Sequence, residues 1–275
     1  MEYVTVKGTR VPAIGLGTWQ LTGRACYDAV TAALELGYRH IDTADLYGNE
    51  AEIGKAVRDS GIDRDAVFIT TKVPPSKLVP EAAKRCAEDS LRRLGMDHVD
   101  LLLVHWPNPA VPLGATLAAF AELRAEGKTR HIGVSNFSVK LLREAVDTHG
   151  ADLLANQVEY HPYLAQRPVL EATRRYGMML TAYAPVARGR VLRDPKIATI
   201  ARKYGKTPAQ VTLRWLVEQD GVAAVPKATS RAHLAANIAI FDFVLAPEDR
   251  AALAALGGDD RIVDWPGYTP NWDEA

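Results

Sequence analysis

The chain is poor in cysteine, carries no excess charge of either sign and has no long apolar run. Cysteine stands only at positions 26 and 86, without a C-x-x-C pair and without ligand-like spacing to any histidine. This argues against a disulfide framework or a zinc site and predicts two reduced thiols packed in helices. Lys+Arg and Asp+Glu each number 33, so the formal net charge is zero. A nucleic-acid or membrane-surface partner would normally want a basic face, which this balance does not provide. No uninterrupted apolar stretch approaches ~18 residues, and the opening MEYVTVKGTR has no apolar segment of the signal-peptide kind. The expectation is a soluble cytoplasmic protein, acting as a monomer. Metal-ligand patterns are also missing: there is no H-x-H and no clustered His/Asp ligand set.

What is present is an ordinary globular composition, 48% apolar and 24% charged, in 275 residues. No linker, charge block or low-complexity segment divides it, so one domain spanning 1–275 is the default. YVTVKGTRVP reads as a hairpin turning at Lys7-Gly8-Thr9. Strand-like and helix-like runs then alternate. The strands fall at 14–17, 38–43, 67–72, 98–105, 130–135, 155–159, 178–183 and 222–226. Helices are expected over 24–36, 50–59, 80–94, 114–126, 138–148, 167–176, 194–204 and 208–219, with another from about 230. Nearly continuous apolar strands alternating with helices imply a parallel sheet covered by helices. Eight such units predict an α/β fold, a (β/α)8 TIM barrel with an N-terminal β-hairpin. A doubly wound sheet fits less well, because the nearest phosphate fingerprint, GLGTWQ, has Gln20 where a glycine is needed.

Barrel active sites form at the C-terminal strand ends. The polar residues there are Asp42, Lys72, His105, Ser135-Asn136, Gln157 with Glu159, Tyr183 and Lys227, and Tyr47 lies just past Asp42. Each alone is what a strand meeting solvent would show. Asp, Lys and His on consecutive strands, with a tyrosine between, suit protonation of a carbonyl oxygen. A free phenol has a pKa of about 10, and a neighbouring ammonium is expected to lower it. A carboxylate offsets the burial of that ammonium, and a histidine can hydrogen-bond the substrate oxygen. These groups supply no reducing equivalent, which must come from a cofactor.

The chain resembles the aldo-keto reductases from end to end, on GLGTW, GYRHIDTADLYGNE, ITTKV, VDLLLVHWP, IGVSNF, NQVEYHP and VPKATSRAHLAANI in order. Within that family it is most similar to bacterial members of the 2,5-diketo-D-gluconate reductase type. The resemblance implies a catalytic tetrad of Asp42, Tyr47, Lys72 and His105, with Tyr47 as general acid. Lys72 would tune it, Asp42 would hold Lys72, and His105 would orient the carbonyl. Trp19 and Trp106 match positions that line the substrate pocket. The small-molecule substrate implied is an aldehyde or ketone.

The resemblance also implies a nicotinamide dinucleotide across the barrel mouth. Ser135, Asn136 and Gln157 match residues that bind the carboxamide, and Tyr183 the ring that stacks on the nicotinamide. Gly17, Thr18, Asp42 and Asn237 belong to the same cofactor set. For an adenosine 2′-phosphate the matching run is Lys227, Thr229, Ser230, Arg231 and His233. The run departs from the family pattern at Ala228, where serine is usual, and at His233, where arginine is usual. NADPH is the expected cofactor, with NADH possible and the preference modest. The connection WPNPAVPL after His105 is short, which predicts an open pocket for small polar carbonyls. Arg188 and Arg190 can meet a carboxylate or simply face solvent. Trp265 and Trp272, in the tail 257–275, can cover the pocket or pin the tail. Two other readings remain: a non-catalytic NADP(H)-binding regulatory subunit of the same fold, and a class I aldolase using Lys72 or Lys227 as Schiff-base lysine.

Overall fold

The computed structural model describes residues 1–272, so the last three residues of the expected tail wall lie outside the described ones. The chain opens with β1 (Tyr3–Val6) and β2 (Thr9–Pro12), paired antiparallel from Tyr3↔Pro12 to Val6↔Thr9. Their two-residue turn has Lys7 at φ 48° and Gly8 at φ 77°, a positive-φ pair whose twist matches that of the flanking strands. The Lys7 ammonium donates to Asp152 Oδ1 at 2.7 Å and to the Leu153 carbonyl at 3.0 Å, fastening the hairpin across the barrel floor.

Eight parallel strands follow: β3 (Leu16–Gly17), β4 (His40–Asp42), β5 (Phe68–Val73), β6 (Val99–Val104), β7 (Thr129–Ser135), β8 (Leu153–Glu159), β9 (Met179–Tyr183) and β10 (Val222–Ala224). Each pairs with its sequence neighbour, from β3 round to β10. The ring closes where Gly15 N donates to Ala224 O at 2.9 Å, Ala224 N to Ala13 O at 2.8 Å and Gly17 N to Pro226 O at 3.0 Å. A Cβ on residue 17 would stand 2.5 Å from the Val225 carbonyl oxygen, so the seam itself requires glycine there. The fold is the (β/α)8 barrel with an N-terminal hairpin.

Ten helices surround it: α1 (Gly23–Glu35), α2 (Glu50–Asp59), α3 (Pro80–Leu94), α4 (Leu113–Ala125), α5 (Val139–Arg143), α6 (Arg167–Arg175), α7 (Pro195–Lys203), α8 (Pro208–Val217), α9 (Arg231–Ile238) and α10 (Pro247–Ala254), among the described residues. Proline opens α3, α7, α8 and α10, where its missing N–H would have had no helical partner. Thr207 and Gln210 form a capping box on α8. The main apolar core lies between strands and helices. A second, smaller core fills the lower barrel with Phe68, Leu101, Leu103, Leu154 and Met179, and Val4 and Val11 of the hairpin close it from below.

Side chains alternate across each strand, so one strand can serve both cores and the mouth. Along β5, Phe68 joins the lower core, Thr70 meets His40 and Lys72 reaches Asp42. The inward row is thus apolar at the floor and polar at the top.

Several expected bounds shift. Regular pairing of the first strand is only two residues long, with Ile14 bridging Ala224 separately. The eighth strand ends at Ala224, leaving Lys227 in the loop beyond it. The helix expected over 138–148 runs as α5 and then widens into a π-type turn over Glu144–Thr148. The short helix α10, opened by Pro247, was not foreseen. No helix of the described residues is long and apolar enough to cross a membrane. Cys26 and Cys86 are free and buried, and burial pushes both thiols up to about 12, which makes them poor nucleophiles.

Candidate active site

At the barrel mouth, β4 ends on Asp42 and the neighbouring β5 carries Lys72 one residue before its end. Lys72 Nζ donates to Asp42 Oδ1 at 2.6 Å and to the Thr43 carbonyl at 2.8 Å. The other carboxylate oxygen, Oδ2, accepts from Gln157 Nε2 at 2.7 Å, a bond from β8 across the barrel. Both ionic side chains are sealed from solvent, at 0% and 5% exposure. Burial pulls the Lys72 ammonium below its usual value, and Asp42 opposes that pull.

Tyr47 ends a single 3-10 turn, Asp45–Tyr47, that Gly48 terminates in the left-handed conformation, φ 62°. Its ring centroid stands 5.2 Å from Lys72 Nζ and 5.7 Å from the His105 ring, edge-on to the latter. One expectation is corrected here. Lys72 points its hydrogen bonds at Asp42 and Thr43, and burial, followed by the Asp42 charge, raises the Tyr47 phenol well above its ordinary value. The phenol is therefore fully protonated at neutral pH. His105 lies just past β6. Burial, helped by the Lys72 charge, pushes its imidazole well below the usual range, so the ring is neutral. Its Nδ1 is buried with no hydrogen-bond partner among the described residues, which leaves Nε2 as the nitrogen able to face the cavity.

The opposite wall is a chain of amides and hydroxyls. Ser135 Oγ donates to the Gln157 carbonyl at 2.8 Å, and Asn136 Nδ2 donates to the His105 carbonyl at 2.9 Å. Tyr183 OH donates to Asn136 Oδ1 at 2.7 Å. Asn136 holds φ 62°, a backbone conformation rare outside glycine and tolerated best by Asn and Asp. Its three side-chain hydrogen bonds stabilise that geometry.

These groups surround one cavity of about 960 Å³. Of the residues expected in the site, Gly17, Thr18, Trp19, Asp42, Tyr47, His105, Trp106, Ser135, Asn136, Gln157, Tyr183 and Lys227 line it. Lys72 does not; it lies beneath Asp42. Thr229, Ser230, Arg231, His233 and Asn237 lie outside that lining, at the start of α9 and along it. Ser230 caps α9, accepting from His233 N at 3.2 Å. Arg231 is already engaged by Glu35. Trp19 is 45% exposed at the rim, with the Arg188 guanidinium 5.4 Å from its ring centroid.

The two tail tryptophans divide the roles proposed for them. Trp265 lines the cavity and meets His105 and Trp106 edge-on, at 6.5 and 6.1 Å between ring centroids. Trp272 lies under the Arg261 guanidinium, 3.9 Å away, and packs on the main core. Arg190 pairs with Asp260 at 2.8 Å, whereas Arg188 lines the cavity and has no acidic partner among the described residues. Sequence reasoning named the segments but missed the residues Leu46, Val186, Val263 and Asp264, which complete the wall. It placed Glu159 at the strand end without giving it a role; the buried carboxylate accepts from Ile262 N and Val263 N at 2.8 and 2.9 Å and so holds the tail against the mouth. A carboxylate two residues past Gln157 on the same strand was the available signal.

The residues present fit a nicotinamide group. Gln157 Oε1 has no protein donor among the described residues while Nε2 is committed to Asp42. Ser135, Asn136 and Tyr183 form a hydrogen-bonded wall beside it, and the exposed Lys227 supplies a cation at the far rim.

Residues 13–257 match the model of the Aldo/keto reductase family. "Methylglyoxal reductase DkgB" of Salmonella typhimurium is 41% identical over 96% of this chain and 99% of its own length. An "Aldo-keto reductase" of Mycobacterium sp. (strain KMS) is 40% identical over 93% and 92% of the two chains. Among solved structures, one described as "a putative 2,5-diketo-D-gluconic acid reductase B" superposes with TM-score 0.97 at 46% identity, covering 99% of this chain and 98% of the other. With the barrel, the Asp42–Lys72 pair and the Tyr47–His105 face already in place, this full-length likeness shows that the chain belongs to the aldo/keto reductase family and is an oxidoreductase.

Proposed function

We propose that the chain reduces aldehyde and ketone carbonyls to alcohols with NADPH as reductant and Tyr47 as general acid. One observation carries the reading. Tyr47 OH and the His105 ring have no hydrogen-bond partner among the described residues, although both stand over a sealed Lys72–Asp42 pair whose own bonds are satisfied. When bound, reduced nicotinamide supplies the hydride. Burial keeps Tyr47 protonated until a carbonyl oxygen takes its proton. Negative charge then grows on the phenol oxygen, and the fixed ammonium of Lys72 stabilises it without reorganising. Neutral His105 donates from Nε2 and orients the same oxygen. Gln157, Ser135 and Asn136 would hold the carboxamide, with Tyr183 against the ring and Lys227 at the 2′-phosphate.

The relatives named for methylglyoxal and for 2,5-diketo-D-gluconic acid support a small polar carbonyl substrate. The short connection between His105 and α4 leaves the cavity open, and the uncommitted Arg188 at its rim suits a substrate that bears a carboxylate. An aldolase role for Lys72 is disfavoured, because its amine is bonded on two sides and does not reach the cavity.

Tyr47→Phe tests the reading. NADPH binding, followed by quenching of protein fluorescence, should persist while kcat falls by about 10²–10⁴-fold, the usual worth of a general acid. A near-wild-type kcat would overturn it.

A further inference from the structure

Behind Tyr47, on the side away from the cavity, four charged residues meet. Arg93 of α3 donates from Nε to Glu50 Oε2 at 2.8 Å and from Nη2 to Asp45 Oδ1 at 2.6 Å. The second oxygen of Asp45 accepts from Lys77 Nζ at 2.8 Å, and Glu50 Oε1 accepts from Thr71 Oγ1 at 2.6 Å. The Glu50 side chain is 0% exposed and that of Asp45 8%, whereas Arg93 is 38% open to solvent. None of these residues lines the cavity.

Their position relative to the proton donor is what gives them meaning. Asp45 and Tyr47 are the two ends of one three-residue turn. The flanks of the turn are tied by Thr43 Oγ1 to Asn49 Oδ1 and by Asn49 to the Thr18 and Leu21 carbonyls, but within the turn itself Leu46 is 49% exposed and Tyr47 OH has no protein partner among the described residues. Its backbone bonds, Tyr47 N to Ala44 O and Gly48 N to Asp45 O at 3.0 and 3.3 Å, are all local. Thr71, which reaches the same network through Glu50, immediately precedes Lys72. One guanidinium thus braces both the turn that carries the phenol and the strand that carries the ammonium. The fork of an arginine can bridge two carboxylates, which a lysine point charge does less well.

We infer that Arg93 and Asp45 are positioning residues for the proton donor: gripping Asp45 against α3 sets where Tyr47 stands relative to Lys72 and His105. The inference rests on the reading of Tyr47 as general acid. Misplacing a reacting group by about 1 Å can lower a rate about 10²-fold, so a brace outside the cavity has leverage on kcat.

Asp45→Asn is the central test, because it keeps the shape and leaves the Arg93–Glu50 pair intact, so the protein should fold. Steady-state kinetics at saturating NADPH should show kcat reduced about 10–100-fold, with NADPH affinity and substrate KM changed less than about twofold. Arg93→Lys, which keeps a charge but loses the fork, should fall between wild type and Asp45→Asn. Asp100→Asn, in an ion cluster at the other end of the barrel, should lower the melting temperature and leave kcat unchanged, separating position from general stability. Wild-type kcat in Asp45→Asn, or a loss no larger than its unfolded fraction, overturns the inference. Tyr47→Phe run in parallel keeps the two levels apart. If it turns over normally, the general-acid reading has failed; if it is inactive while Asp45→Asn is normal, only the positioning role has.

Discussion

Two buried ion clusters sit at opposite ends of this barrel and are built differently. At the N-terminal end, Asp100 accepts from Ile69 N at 2.9 Å and pairs with Arg64 at 2.8 Å and Arg130 at 3.2 Å. Arg64 also donates to the Val67 and His98 carbonyls, and Arg130 to Asp65. Every charge meets an opposite charge, and both arginines reach solvent. At the C-terminal end Lys72 and Asp42 are sealed in, and the polar groups beside them, Tyr47 OH and the His105 ring, have no hydrogen-bond partner among the described residues. The lower cluster pairs its charges with one another, and its unpartnered atoms among the described residues, Arg64 Nε and His98 Nε2, are buried away from the cavity. The upper one holds donors ready for a ligand, which is how barrels separate stability from chemistry.

The largest effect should come from breaking the upper cluster. Lys72→Met leaves the Asp42 carboxylate buried with only the Gln157 amide, and removing one partner of a buried pair typically destabilises by about 3–5 kcal/mol. It also removes the charge beside Tyr47, so kcat of the folded fraction should drop by at least about 10²-fold. Urea unfolding and steady-state kinetics on the same preparation would read both. Asp100→Asn, at the lower end, should cost about 1.5–3 kcal/mol, the worth of hydrogen bonds to a charged group, with kcat per folded molecule intact. If both variants lost activity in proportion to stability, the two ends would not differ in kind.

Protonation sharpens the comparison at the next level of size. Burial holds His105 at the mouth, and His40, His98 and His131 nearer the floor, below the usual histidine value. A depressed folded pKa means the unfolded chain binds protons first. Stability is therefore complete above about pH 6.5 and falls as pH drops from there toward the folded values. The urea midpoint should be flat near pH 7.5–8 and decline between about pH 6.5 and 5. His105→Gln should flatten that decline more than His98→Gln. Burial, then the Lys72 charge, pushes His105 well below its usual value, whereas the partly exposed His98 is lowered less, by burial and the Arg64 and Arg130 charges against Asp100 and Asp65. Equal slopes for the two variants would remove the distinction.

The fold and the mouth were legible because the barrel imposes simple rules. VDLLLV and FITTKV are buried at every residue, so both read as apolar strands, and an inward row that turns from Phe68 to Lys72 marks the functional end. The direction of the Tyr47 shift was not legible, because spacing cannot say whether an ammonium faces a phenol or a carboxylate. Lys72 chose Asp42 and Thr43, and burial decided the rest. Arg93, 46 residues from Tyr47 along the sequence, looked like any surface arginine on a helix. Its role depends on α3 packing behind a three-residue turn. Trp265 and Trp272 were separable only once the tail was placed, since both are tryptophans in one polar, proline-containing segment.

The smallest effect belongs to the rim, where charges are exposed and screened. Lys227, Thr229 and His233 are open to solvent, and Arg231 is held by Glu35, with side chains 58% and 55% exposed. Ala228 is buried beside them and offers no hydroxyl. Among the described residues of this run, a 2′-phosphate would meet Lys227 as an unpaired cation and, at 233, an imidazole in place of a guanidinium. The ratio of kcat/KM for NADPH over NADH should therefore be modest. His233→Arg adds a permanent, forked cation and should raise that ratio about tenfold. Glu35→Gln releases Arg231 and should raise it by a smaller factor, because an exposed pair holds by about 0.2–1 kcal/mol. Both gains should shrink as salt rises from 0.05 to 0.5 M, while the Lys72→Met defect should not, since that pair is sealed from ions. A salt-independent gain in His233→Arg would mean that residue 233 reaches the phosphate in a dry site, and the contrast between sealed mouth and open rim would have to be redrawn.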